Sequence, residues 1–296
     1  MKRWSLLAST VSLCAVLAAG CSTLDHQQRE WIFQPSDRSW GNTASMTEGM
    51  KDVWIDFKSA DSGEPSRLHG LWLGQEPNSP DTPVLLYLHG ARYNVAGSAP
   101  RIRRMHDLGF AVLAIDYRGF GKSSKGLPSE ETAREDARAA WIWLAARYPK
   151  QHRYIMGHSL GGAIGIDLAA HVKDESGTIV ESTFTSISDV VSSFKWGWLP
   201  LGPLITQRFE AIDKVKDIGA PLLVVHGTAD TLINPTLGRK LYEAATVQKQ
   251  FVLVEGGSHH STGTIGERQY RAALTQLFHM KPTGVPATVE AKVSGD

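Results

Sequence analysis

With 296 residues, 42% of them hydrophobic and 21% charged, the chain has the composition of a soluble globular domain able to bury one full core. Lys and Arg number 31 against 30 Asp and Glu, a formal charge of +1, which excludes the basic footprint of a nucleic-acid-binding surface. Two cysteines, Cys14 and Cys21, exclude a disulfide framework in the folded part.

Lys2 and Arg3 precede an uncharged, mostly apolar run from Trp4 to Ala19. That is the order of a secretory signal, too short and too early for a dependable transmembrane span. The run ends in Leu17-Ala18-Ala19-Gly20-Cys21, which resembles the lipobox of bacterial lipoproteins, with alanine rather than leucine three places before the cysteine. The resemblance implies that residues 1–20 are removed and that Cys21 is acylated, anchoring the chain to a membrane. Ser22 rather than Asp follows, which in Gram-negative lipoproteins resembles an outer-membrane, periplasm-facing address in the cell envelope. The bland alternative is an ordinary signal peptide cut near the same place.

From 21 to 50 the sequence is polar and weakly periodic, with isolated Trp31, Phe33 and Trp40, and reads as a tether whose aromatics can dock on the body. Val53–Phe57 and Leu68–Leu73, split by a Ser-Gly-Glu-Pro turn, predict an antiparallel strand pair. Unbroken apolar runs follow at Val84–Leu88, Phe110–Ile115, Tyr154–Met156, Thr178–Val180, Leu222–His226 and Phe251–Val254, as strands buried on both faces of a parallel sheet require. Helical segments alternate with them. One opens at Ser129 with Glu130 and Glu131, repeats through Ala137, Ala140, Trp141 and Leu144, and stops at Pro149; others lie near Pro235–Ala245 and Gly266–Met280. The alternation predicts a doubly wound α/β domain over residues 51–280, and the Pro/Gly/Thr/Val-rich residues 281–296 predict a disordered tail.

Gly157-His158-Ser159-Leu160-Gly161 stands between the Tyr154–Met156 strand and a helix-like Ala163–Ala170 stretch. A serine flanked by glycines at a strand-to-helix turn has the form of a nucleophile elbow. Other strand tips carry His89-Gly90-Ala91-Arg92, Asp116-Tyr117-Arg118-Gly119, His226-Gly227-Thr228-Ala229-Asp230 and Gly256-Gly257-Ser258-His259-His260, whereas Thr178–Val180 ends in no comparable group. Loops after the carboxyl ends of parallel strands converge on one crevice. A serine hydroxyl needs a base within reach, the role expected of His259, with Asp230 holding the imidazole's tautomer. Backbone N–H groups of Leu160 and Ala91 are expected to bind the oxyanion.

The run from Asp116 to Ser124, with Leu127–Glu131, Glu181–Ile187 and Arg239–Ala245, resembles the serine hydrolases of the α/β-hydrolase superfamily, closest to the Bem46 and ABHD13/ABHD17-like branch. The similarity spans roughly residues 53–280. It implies an α/β-hydrolase fold, with a mostly parallel sheet preceded by antiparallel strands, a nucleophile at Ser159, an acid at Asp230 and a base at His259. Two positions depart from the pattern: Ala91-Arg92 stands where relatives often carry Asn-Ala, and His260 where many carry Asn.

Competing readings are narrower. His158 is expected to point away from Ser159 in a structural or pocket-lining role, and His89 to brace the oxyanion turn. His260 rivals His259, and Glu181 is the rival acid. Gly121-Lys122-Ser123 lacks the glycine of a phosphate loop, since Asp116 occupies its place. Without Cys or His pairs at zinc spacing, neither metal nor cofactor is expected. The 184–217 segment leaves room only for a short cap, whose Phe194, Trp196, Trp198 and Leu199 either rim an acyl pocket or pack on the sheet. The expected protein is a lipid-anchored serine hydrolase acting on a small-molecule carboxylic ester. Thioesterase, amidase and peptidase chemistry use the same parts, and a non-catalytic envelope lipoprotein is the rival of another class.

Overall fold

The computed structural model of the protein describes residues 22–35, 43–75, 79–194, 199 and 202–280. The apolar run from Trp4 to Ala19, Cys21, Trp40, Trp196, Trp198 and residues 281–296 lie outside the described residues. Eight strands, β1 (Lys51–Lys58), β2 (Pro65–Leu73), β3 (Val84–Leu88), β4 (Ala111–Ile115), β5 (Arg153–His158), β6 (Gly177–Glu181), β7 (Leu222–Gly227) and β8 (Lys249–Val254), form one sheet in the order β1-β2-β4-β3-β5-β6-β7-β8. The β1–β2 and β2–β4 pairs are antiparallel and the other five are parallel.

The unbroken apolar runs arise because each central strand has a core on both sides. Along β3, Leu86 and Leu88 join one hydrophobic cluster while Leu85 and Tyr87 join the other. The helices Glu130–Arg147, Leu160–His171 and Pro235–Ala244 cover the first face; Ala99–Asp107 and Glu267–Phe278 cover the second. The Glu130–Arg147 helix starts at Ser129 through reciprocal hydrogen bonds with Thr132, a capping box that satisfies two orphan N–H groups.

Two helices were not read from the sequence. Within the segment expected to be a tether, residues 22–33 are helical, and Phe33 docks on the body as that reading allowed, fully buried with its ring 5.8 Å from Phe209 and 6.4 Å from Phe120. The packed side of that helix carries Asp25 and Arg29 beside Ile32 and Phe33, so it shows no apolar period. Arg29 instead donates to the carbonyls of Leu127 and Pro128, and Asp25 accepts from Gln207. The helix Ala99–Asp107 was likewise masked by charge: Ile102 and Met105 are buried, while Arg101, Arg103 and Arg104 interrupt the apolar stripe and find partners elsewhere. No helix among the described residues is long and apolar enough to cross a membrane.

Candidate active site

The chain leaves β3 for β4 on one side and returns past it to β5 on the other, so β3 and β5 flank the point where the sheet's order reverses. Register aligns the strand ends there: Leu88 pairs with Gly157, His158 with Glu181, and Gly227 with Val254. The turns carrying Ala91, Ser159, Asp230 and His259 all leave this one edge.

Ser159 sits between β5 and the Leu160–His171 helix with φ 56° and ψ −122°, a left-handed conformation that costs a non-glycine residue energy and persists only when its surroundings enforce it. They do so here. Ser159 N donates to Glu181 O at 3.0 Å, and Thr183 Oγ1 donates to Ser159 O at 2.8 Å. The two flanking glycines answer to close approach: a Cβ on Gly157 would lie 2.1 Å from Gly161 O, and one on Gly161 would lie 2.1 Å from Leu88 O. The result is a serine half-exposed at the tip of the turn, at the head of a helix whose first N–H groups have no partner within it.

Asp230 and His259 meet at the β7 and β8 tips, His259 Nδ1 facing Asp230 Oδ2 at 2.9 Å, both residues buried. Asp230 is over-supplied with donors. Its Oδ1 accepts from Leu232 N and Ile233 N, and the buried His226 Nε2 lies 3.3 Å from Oδ2. Burial pushes the Asp230 carboxyl up, but the hydrogen bonds of His226 and His259 outweigh it and hold it well below the ordinary carboxylate range. Among the described residues Ser159 Oγ and His259 Nε2 are not hydrogen-bonded; such contacts are commonly long in an unliganded site and tighten when substrate arrives.

On the other side, Ala91 leads into Arg92 and Tyr93, both with positive φ, at 70° and 59°. Ala91 N donates to no backbone carbonyl among the described residues. His89 braces this turn: its Nδ1 lies 2.7 Å from Gly90 O, its ring is 4.7 Å from Tyr117, and Tyr117 Oη donates to His89 O. Burial lowers the His89 pKa against the opposing pull of Asp116.

The rival residues are placed elsewhere. Glu181, at the end of β6, is fully buried and bound by Arg104 Nη2 at 2.8 Å, Tyr270 Oη at 2.9 Å and Arg101 Nε at 3.2 Å. Burial raises its carboxyl, yet Arg104 and Arg101 bring it down to about 2. His158 Nε2 lies 2.9 Å from the carbonyl of His259 and 3.0 Å from Arg101 Nη2, and burial beside Arg101 drives its pKa far down. Glu181, Arg101 and His158 therefore form a strut under the His259 loop. The sequence reading named Glu181 and His158 singly but did not find Arg101, which lies in the unrecognised helix. Asp116 accepts from Val95 N at 2.6 Å and faces His69, and Arg118 grips Asp136 at 2.6 Å, so the run from Asp116 to Ser124 is scaffolding. No group of three or more metal-binding side chains occurs among the described residues.

A family model described as "Serine aminopeptidase, S33" matches residues 79–210 and 204–264. An uncharacterised protein of Mycobacterium tuberculosis is 31% identical over 272 residues, covering 90% of this chain and 93% of that protein. A lysophosphatidylserine lipase of Danio rerio, ABHD12, is 33% identical over 242 residues, 74% of this chain and 63% of the lipase. Among solved structures, the Pyrococcus furiosus esterase Pf2001 is similar with a TM-score of 0.65 at 21% identity, over 83% of this chain and 98% of the esterase. A lidless α/β serine hydrolase of Xanthomonas campestris gives 0.53 at 17% identity, over 81% and 98%. Both likenesses are to the fold.

Proposed function

Because the chain belongs to the serine aminopeptidase S33 family of α/β-hydrolases, and is a serine hydrolase, we propose that it cleaves carboxylic esters through an acyl-enzyme on Ser159. In the first half-reaction Ser159 Oγ attacks the ester carbonyl while His259 Nε2 takes its proton. The carbonyl oxygen gains charge and is held by the N–H groups of Leu160 and Ala91; losing one such donor typically raises the barrier by about 3 kcal/mol. Collapse breaks the bond to the alcohol, which leaves with the proton from His259. Water then repeats the sequence with His259 as base and frees the acid. Asp230, held ionised by its donors, fixes the tautomer in which Nδ1 carries hydrogen and stabilises the imidazolium.

The observation that carries this reading is the buried Asp230–His259 pair at the same sheet edge as a serine locked at positive φ. Esters rather than amides are favoured by the relatives named lipases, and an acyl chain suits the exposed Phe194 and Leu199 of the short cap segment. We further propose that Cys21 is acylated and holds the protein on the periplasmic face of the outer membrane, since two or three acyl chains at about 0.8 kcal/mol per CH₂ anchor stably. The activity is tested with p-nitrophenyl esters of increasing chain length beside the matching anilides. Turnover that rises with acyl length and is abolished in Ser159→Ala is expected; turnover of the anilides alone overturns the ester assignment.

A further inference from the structure

The helix over residues 22–33 has a packed side and an open one. Leu24, Gln27 and Trp31 fall at i, i+3 and i+7, on one stripe, and all three are exposed, Trp31 at 55%. Gln28, at the edge of that stripe, donates to Leu204 O at 2.7 Å and accepts from Thr206 N at 2.8 Å, which brings the exposed Leu204 alongside. At its far end the helix runs into the oxyanion turn. Phe33 O accepts from Arg92 N at 2.9 Å, Gln34 Oε1 accepts from Arg92 Nε at 2.9 Å, and Pro35 bridges to Tyr93. One apolar strip, Leu204, Leu24 and Trp31, thus borders the turn that carries Ala91.

Single exposed apolar side chains are ordinary. What distinguishes these is where the strip begins. Cys21 is the residue directly before Ser22, the first described residue, which is already helical. Twelve helical residues span roughly 18 Å, so an acylated Cys21 would hold Phe33 and the Ala91 turn within that distance of the bilayer. A helix so tethered cannot hang free of the surface, because its other side is bonded to the body of the domain. Leucine and tryptophan are the side chains that an interfacial position rewards.

We propose that Leu24, Trp31 and Leu204 form a lipid-docking face that turns the oxyanion turn and Ser159 toward the membrane, so that acyl esters enter from the leaflet rather than from solution. The docking face rests on the proposed anchor at Cys21, and the entry route on the proposed ester hydrolysis.

The full chain, reconstituted through its own anchor into phosphatidylethanolamine–phosphatidylglycerol vesicles with brominated acyl chains, tests this. The chain has nine tryptophans, so the emission of Trp31 is taken by difference from Trp31→Phe. Bromolipid is expected to quench that emission. Leu24→Asp combined with Leu204→Asp should abolish the quenching and slow hydrolysis of a vesicle-embedded acyl ester about tenfold or more, given the transfer cost of two leucines. The same variant should hydrolyse a soluble short-chain ester at the wild-type rate, which also reports its folding. Trp31 emission indifferent to bromolipid, or Trp31 faces of two copies cross-linking to each other, overturns the proposal. Fluorophosphonate labelling separates the failures: quenching without labelling sinks the hydrolase mechanism alone, and labelling without quenching sinks the docking face alone. Membrane fractionation of Cys21→Ser reads the anchor independently.

Discussion

His259 Nδ1 faces Asp230 Oδ2 at 2.9 Å, and the same carboxylate oxygen lies 3.3 Å from the buried His226. Two imidazoles share one anion, so the acid is fixed in place before substrate arrives. Asp230→Asn keeps the shape but offers an amide where an acceptor is needed. Under the proposed mechanism kcat for ester hydrolysis falls by about 10³–10⁴ with KM little changed. Steady-state kinetics on a soluble ester check this, and a variant within tenfold of wild type removes Asp230 from the reaction.

Glu181 contributes to stability with a definite pH signature. Folding lowers its carboxyl from 4.5 to about 2, against burial, because Arg104 and Arg101 face it. A carboxylate depressed on folding contributes stability that is complete above its unfolded value near 4.5 and fades as pH falls toward 2. Glu181→Gln leaves two guanidiniums without their anion and should cost about 3–5 kcal/mol at neutral pH. Denaturant titrations at neutral pH and at about pH 3.5 should find the gap from wild type narrower in acid. An unchanged gap contradicts the pairing.

Gly161→Ala sets a methyl 2.1 Å from Leu88 O and 2.5 Å from His89 O. Relief requires the Leu160–His171 helix to move off β3, widening the gap between the two proposed oxyanion donors. We expect destabilisation of about 1–3 kcal/mol, typical of overpacking, and a larger proportional loss of kcat than of stability. A melting curve and a kcat measurement on the same preparation decide it; wild-type values for both would mean that the close approach is not real.

Phe33→Ala separates a docked helix from a tether. Removing a fully buried phenylalanine costs about 3–5 kcal/mol, which for a domain of this size lowers Tm by roughly 10 °C. Differential scanning calorimetry reads it directly. An unaltered melting temperature would mean that residues 22–33 are not held on the body through Phe33.

Much of this fold was legible because its strands are short apolar runs with chemistry at their ends. The elbow was legible for a steric reason: Gly157 and Gly161 are small because backbone atoms occupy the space their side chains would need. That Asp230 and His259 meet was readable from their positions after neighbouring strands. The strut beneath them was not. Arg101 reads locally as surface charge, and only the tertiary fold brings its guanidinium to Glu181, 80 residues away. The helix over residues 22–33 was missed because, apart from Ile32 and Phe33, it docks through bonds that Gln28 and Arg29 donate and Asp25 accepts, leaving no apolar period to detect. The Asp116–Ser124 run, which carried most of the family resemblance, holds β2, β4 and the Glu130–Arg147 helix together and reaches the site only through Tyr117 and Phe120, which pack on His89 under the oxyanion turn.

Fluorophosphonate labelling, with the adduct located by peptide mass spectrometry, tests the nucleophile most directly. The proposed mechanism predicts a single adduct, on Ser159, that disappears in Ser159→Ala. A folded wild-type protein that takes no label, or carries it on another residue, contradicts it.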